Sequence, residues 1–265
     1  MNIQPLDILG VPIHPLTTEQ VLARVDEAIA QRRRLLLGVV NAAKLVNMRS
    51  DAELRESVLA ADLVLADGMS LVWAGRLLGR RLPERVAGID LMTALLTRGA
   101  KRGYRFFLLG ATQEVLDEVK SRVATDYPGA VVAGARNGYY TPDDEPALAA
   151  EIAASRSDVL FVAMSSPKKE RFLARWFAEL DVPVCHGVGG SFDVLAGKVR
   201  RAPRIWQALG MEWLYRLLQE PGRLWKRYLI TNTVFAGLLL RAMILRPFTR
   251  RARPLAGGAA VHEGR

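Results

Sequence analysis

The chain has 265 residues, half of them hydrophobic, 24% charged and 7% aromatic, a globular composition long enough to bury a core without staples. One cysteine, Cys185, excludes a disulfide framework and any multi-cysteine metal site, and His14, His186 and His262 are too scattered for a histidine cluster. The formal net charge is +10, but residues 196–265 hold 14 Lys/Arg against 3 acids while residues 1–195 hold 23 against 24. A near-neutral body with a cationic C-terminal quarter predicts one polyanionic partner met at one end, an anionic membrane or a nucleic acid. The start, MNIQPLDILG, lacks the basic and apolar regions of a signal peptide, so a cytoplasmic location is expected.

Taken in chain order, 35–40 (LLLGVV) predicts a strand, with a helix from about Asn41. The run 62–66 is a second strand, ended by Asp67-Gly68. Residues 105–109 (RFFLL) form a third, closed by Gly110, and Thr112 caps a helix to about Asp126. A strand at 130–133, a turn at Asn137-Gly138 and a helix after Thr141-Pro142 follow. Then 158–163 is a strand, Ser165-Ser166-Pro167 opens a helix to about Leu180, and 182–188 is the last strand before Gly189-Gly190. Uninterrupted apolar strands between helices predict an α/β fold, a Rossmann-like doubly wound parallel sheet spanning residues 1–195.

Residues 196–253 read as a basic, amphipathic helical appendage, and 254–265 as a disordered tail. Within the appendage, 205–219 is helical and Pro221-Gly222 is expected to break the helix. The uncharged run from Tyr228 to Leu240 falls short of the roughly 20 residues that cross a bilayer, and Arg241 interrupts its continuation. Flanked by Trp225, Lys226 and Arg227, it suits a helix lying in a membrane interface; the alternative is an ordinary helix packed on the body.

Ligands of such sheets lie outside the carboxyl ends of the strands, where Asn41, Asp67, Gly110, Gly138-Tyr139, Ser165-Ser166-Pro167 and Gly187–Gly190 fall. Phosphate-loop, G-x-G-x-x-G, G-x-S-x-G and H-E-x-x-H motifs are absent, and metal-independent chemistry is expected. Asp67, ending an apolar strand, is the candidate acid/base residue; the alternative is that it caps the helix starting near Met69. Arg85 suits bidentate contact with a diphosphate, or else a surface ion pair with Glu84 or Asp90. Lys168 and Lys169 oppose the dipole of the helix they start, a cost that an anionic ligand would offset or solvent would screen. The glycines at 187, 189 and 190 let backbone N–H groups approach a phosphate or sugar.

These segments together resemble the WecG/TagA/CpsF glycosyltransferase family. The resemblance runs over about residues 5–230 and rests on Asn41, Ala66-Asp67-Gly68, Leu82 to Asp90, Phe107 to Gly110, Gly138-Tyr139, Ser166-Pro167-Lys168-Lys169-Glu170, Val188 to Asp193, Arg201-Ala202-Pro203 and Glu212-Trp213-Leu214-Tyr215-Arg216-Leu217. It implies an inverting transferase that moves a sugar from a UDP-sugar to a polyprenyl-diphosphate-linked saccharide in cell-surface polysaccharide biosynthesis. The sugar would be of the N-acetylmannosamine type, or glucose. The UDP-sugar would be a co-substrate, with no resident cofactor or metal. By the same resemblance Asp67 would be the general base, Asn41 and Arg85 would line the pocket, and Tyr139 and Asp193 would lie on the nucleotide side. Lys169, Gly189 and Gly190 complete the expected substrate-binding set, with Arg216, Arg223 and Arg227 of the appendage facing diphosphates at the inner face of the cell membrane. A self-associating body is implied too.

Two positions depart from the family pattern: Lys169 replaces a glutamine and Val39 a threonine. The extra cation suits either a uronate or the diphosphate. Two other functions start from the fold or the tail alone. A nicotinamide-dependent oxidoreductase lacks its early glycine fingerprint here. Nucleic-acid binding by the basic tail fits less well than lipid, because the charges surround an apolar run.

Overall fold

A computed structural model describes residues 3–249; the predicted tail, 254–265, lies outside the described residues. The chain opens with a hairpin absent from the sequence reading, β1 (Leu6–Ile8) and β2 (Val11–Ile13). Leu9 and Gly10 turn it, both at positive φ, the backbone twist that two-residue hairpins favour. There follow α1 (Thr18–Ala30), β3 (Leu35–Val40), α2 (Ala42–Asn47), α3 (Ala52–Leu59), β4 (Leu63–Ala66), α4 (Met69–Leu77) and α5 (Gly88–Arg102). The second half has β5 (Arg105–Gly110), α6 (Gln113–Asp126), β6 (Val131–Arg136), a 3-10 turn at Pro142–Asp144, α7 (Glu145–Ala154), β7 (Val159–Ala163), α8 (Lys168–Trp176), β8 (Val184–Gly187) and α9 (Ser191–Leu195). Three helices end it: α10 (Arg204–Ala208), α11 (Glu212–Gln219) and α12 (Pro221–Thr249).

The predicted doubly wound α/β sheet is present: β3 to β8 form one parallel sheet of six strands, ordered β4-β3-β8-β7-β5-β6. Successive strand residues point to opposite faces, and both faces are covered. Leu37, Val39, Leu65, Phe106, Leu108 and Phe161 pack on one side with α1, α5 and α6. Their alternates Leu36, Val64, Phe107, Leu109, Leu160 and Val162 pack on the other with α2, α3, α7 and α8. This explains why the strands carry no polar alternation. Each fully buried Phe or Leu contributes roughly 1.5–3 kcal/mol. The β4 edge is closed by the residue after the hairpin, His14, which exchanges bonds with Val64 (His14 N to Val64 O, 2.8 Å; Val64 N to His14 Nδ1, 3.0 Å). At the centre, a Cβ on Gly110 (φ +124°) would lie 2.3 Å from Ala163 O, so only glycine lets β5 and β7 end side by side.

Three local expectations are corrected, and one beside them holds. The helix after Pro167 stops at Trp176, and Leu180 turns into the core. The 205–219 segment is two helices, separated at Gly210, whose left-handed φ of +64° ends α10. The break expected at Pro221-Gly222 is present: α11 ends at Gln219, and Pro221 opens α12, because proline at the first helical position forfeits no hydrogen bond. Arg241 does not interrupt α12, and its segment Leu224–Leu245, with mean hydropathy 1.6, is long and apolar enough to cross a membrane by length and composition. At 1.5 Å per residue those 22 residues reach about 33 Å. Yet α12 packs along α2, burying Leu224, Thr231 and Phe235 on one face.

Candidate active site

Asp67 continues β4 by one bond, its N–H donating to Val40 O (2.7 Å), before Gly68 turns the chain into α4. Its side chain is partly buried and does not cap α4; Gly68 holds the cap position with no side-chain bond. Instead Oδ1 accepts from Gly88 N (3.3 Å) at the start of α5, and Oδ2 lies 3.5 Å from the donating Asn41 Nδ2. Asn41 is itself fixed, because its Oδ1 accepts from Lys44 N (3.0 Å) and so caps α2. The carboxylate is thus aimed by two donors from different loops, with lone pairs to spare for a hydroxyl.

Beside it lies a buried ion cluster in which Glu170 Oε1 bridges Lys169 Nζ (2.7 Å) and Lys44 Nζ (2.9 Å). Lys44 also donates to Val39 O (2.6 Å). Burial alone would raise the Glu170 pKa, but the two ammoniums overcome it and hold the carboxyl at about 2. Burial, reinforced by Lys44, brings the Lys169 ammonium down to about 8 despite Glu170 and Asp67. Glu170 gives Lys169 a counter-charge within the protein that the sequence reading did not anticipate, and two ammoniums against one carboxylate leave the cluster cationic. Removing one member of such a cluster strands the others, at a cost of about 3–5 kcal/mol. Because Lys169 loses its charge through about pH 8, turnover is expected to fall as pH rises through that value. Lys169→Gln should be slower below it and lack that alkaline limb in a pH–rate profile.

Lys169 sits against the turn after β8: a Cβ on Gly189 would be 4.0 Å from its Nζ, and one on Gly190 3.7 Å from Asp193 Oδ2. The chain leaves β5 toward the outer strand β6 and leaves β7 the other way toward β8, which makes the β5–β7 gap a topological switch point. A cleft of about 380 Å³ opens there, lined by Tyr140, Pro142, Glu145, Ser165, Pro167 and Lys168. Lys168 Nζ donates to Gly138 O (3.0 Å) and lies over the Tyr140 ring at 4.1 Å. Tyr139 is 77% exposed beside it. Three to four strand spacings of about 4.8 Å put this gap about 14–19 Å from Asp67.

Arg85 is placed differently from the diphosphate contact expected of it. It is largely buried and pairs with Asp90 (3.1 Å) and Glu212, with Gln207 Oε1 accepting a further bond (3.1 Å). Arg201 joins Asp90 (2.6 Å) and Glu212 (3.6 Å). These charges tie the loop before α5 to α10 and α11, so Arg85 acts here as a joint between body and appendage. Arg216 is exposed on α11 and Arg227 on α12, and neither joins the Asp67 group among the described residues; the Arg223 side chain lies outside them. Sequence reasoning passed over Lys44 and His186. The visible signals were a lone lysine one turn after Asn41 in AAKLVN and a histidine inside the apolar strand VPVCHGV.

The arrangement is an α/β fold with a partly buried carboxylate, Asp67, at the carboxyl edge of its parallel sheet, beside a buried ion cluster. The chain belongs to the WecG/TagA/CpsF family of glycosyl transferases, whose family model matches residues 6–248. Membership makes it a glycosyltransferase acting on a sugar donor and an acceptor, and sets aside the oxidoreductase and nucleic-acid-binding readings.

Proposed function

We propose that the protein transfers a hexose or N-acetylhexosamine from a UDP-sugar to a polyprenyl-diphosphate-linked saccharide, with inversion, at the inner face of the cell membrane. The observation that carries the reading is Asp67, partly exposed at the strand end and held by Gly88 N–H and the Asn41 amide. The nucleotide occupies the β5–β7 end near Tyr139, the diphosphate crosses the Gly189-Gly190 turn above Lys169, and the sugar reaches Asp67. An acceptor hydroxyl gives its proton to Asp67 as its oxygen bonds the anomeric carbon. The bond from that carbon to the diphosphate oxygen breaks on the opposite face, and UDP leaves with the electron pair. Lys169 adds positive charge where the leaving group gathers negative charge, and the reading requires no resident metal or cofactor.

Membrane attachment in this reading is peripheral and uses the segment 196–253. Its support is the exposed apolar surface of the last helices, including Ile205, Leu218, Leu229, Ile230, Leu240 and Ile244, beside the exposed cations Arg216, Lys226, Arg227 and Arg241. The contacts of Leu224, Thr231 and Phe235 hold α12 along the body, which favours lying in the interface over crossing it. Incubation with a panel of UDP-sugars and a short-chain polyprenyl-diphosphate disaccharide precursor tests the reaction. One donor is expected to add one sugar mass, with the anomeric configuration inverted by NMR. Retention of configuration, or no product from any donor, would contradict the proposal.

A further inference from the structure

His186 is fully buried in β8, on the sheet face otherwise made of Leu37, Phe161, Val184 and Val188. Its ring meets Phe161 edge-on at 6.3 Å. Burial lowers its pKa to about 4, so the imidazole is neutral at physiological pH. Nε2 lies 3.2 Å from Gly88 O, which can only accept, so the proton sits on Nε2. Nδ1 makes no hydrogen bond of normal geometry among the described residues, although the Leu37 backbone also lies against the ring. An apolar ring would fill this place without leaving a buried nitrogen unpaired, and a residue that breaks the rule of its own layer points to a use beyond packing.

That use lies one residue away. Gly88 accepts from His186 through its carbonyl and donates to Asp67 Oδ1 through its N–H. It is the first residue of α5 and has no side chain of its own, so besides the helix's own bonds the His186 ring is the side-chain group that holds its carbonyl. We propose that His186 is a positioning residue that locks Gly88 so that its N–H aims the Asp67 carboxylate at the acceptor hydroxyl. The inference rests on Asp67 being the base of the transfer proposed above. His186 never touches substrate; it acts from beneath the floor of the site. Val39 packs against Gly88 but offers no hydrogen bond, so removing the imidazole removes the side-chain bond at the Gly88 carbonyl.

The test compares His186→Phe, which keeps the aromatic volume, with His186→Gln, which keeps a donor at a similar reach. For His186→Phe, kcat is expected to fall about tenfold with KM for the donor within twofold, because aim is lost and binding is not. The melting temperature should be unchanged or higher, and His186→Gln should recover most of kcat. In an Asp67→Asn background the same His186→Phe change should cost little more. Wild-type kcat in His186→Phe would overturn the proposal, as would an equal loss in the Asp67→Asn background, or a loss of kcat matched by a lower melting temperature. The amide resonance of Gly88 in glycine-labelled protein gives a readout independent of turnover. It should move in both His186→Phe and Asp67→Asn, and an unmoved signal overturns the inference. Absence of transfer by wild type would instead strike the proposed function, leaving the Gly88 resonance to judge the His186–Gly88–Asp67 arrangement.

Discussion

Asp67→Asn is expected to slow acceptor-dependent sugar transfer by about 10²–10⁴-fold, the range that a positioned general base supplies. UDP affinity, measured by calorimetry, should change less than twofold, because the proposed nucleotide end at the β5–β7 gap lies about 14–19 Å away by strand spacing. The substitution is conservative for the fold: asparagine can still accept from Gly88 N–H, and Asp67 caps no helix whose start would fray. A large loss of turnover without a loss of melting temperature therefore reports on chemistry. Substitution of Asn41 bears on the same carboxylate but also uncaps α2, so its effect mixes aim with stability.

The second large effect is expected from α12. Taking 100° per residue, Leu229, Leu240 and Ile244 fall opposite the face that Leu224, Thr231 and Phe235 bury on α2. Leu229→Asp with Leu240→Asp should reduce co-sedimentation with vesicles containing anionic lipid at least tenfold, since an aspartate within the apolar layer costs about 2.5–3.5 kcal/mol at its centre and less near the interface. Both side chains are well exposed, so the fold should keep its melting temperature. Full vesicle binding by the double variant would show that α12 is not the element that meets lipid. Raising salt should weaken what remains in wild type, because Lys226, Arg227 and Arg241 then lose their attraction to the surface.

Much of this architecture was legible as sequence because a sheet covered on both faces leaves unbroken apolar strands. Runs such as LLLGVV and DVLFVA could be placed within a residue or two. Asp67 was legible for the same reason: a carboxylate that ends such a run has the edge of the sheet as its only direction. What stayed hidden was what side chains do across long sequence separations. Arg85 could be read as a diphosphate ligand from its neighbours, but its partner Glu212 lies 127 residues away. Lys44 and Glu170 meet only because α2 and α8 end on one side of the sheet. The hairpin at Leu6–Ile13 was missed because Leu9 is an unusual occupant of a left-handed turn position. The apolar span of α12 exceeds the uncharged run Tyr228 to Leu240 because the mean hydropathy of Leu224–Leu245 stays high despite Lys226, Arg227 and Arg241.

The central claim is that Asp67 activates the acceptor for attack on a UDP-sugar. The most direct test is the rate of UDP release with and without the polyprenyl-diphosphate saccharide, on vesicles, for wild type and Asp67→Asn. The account predicts release by wild type that depends on acceptor and on one donor, and near-background release by the variant whether acceptor is present or not. Equal, acceptor-dependent release by both proteins would contradict it and move the base to another residue.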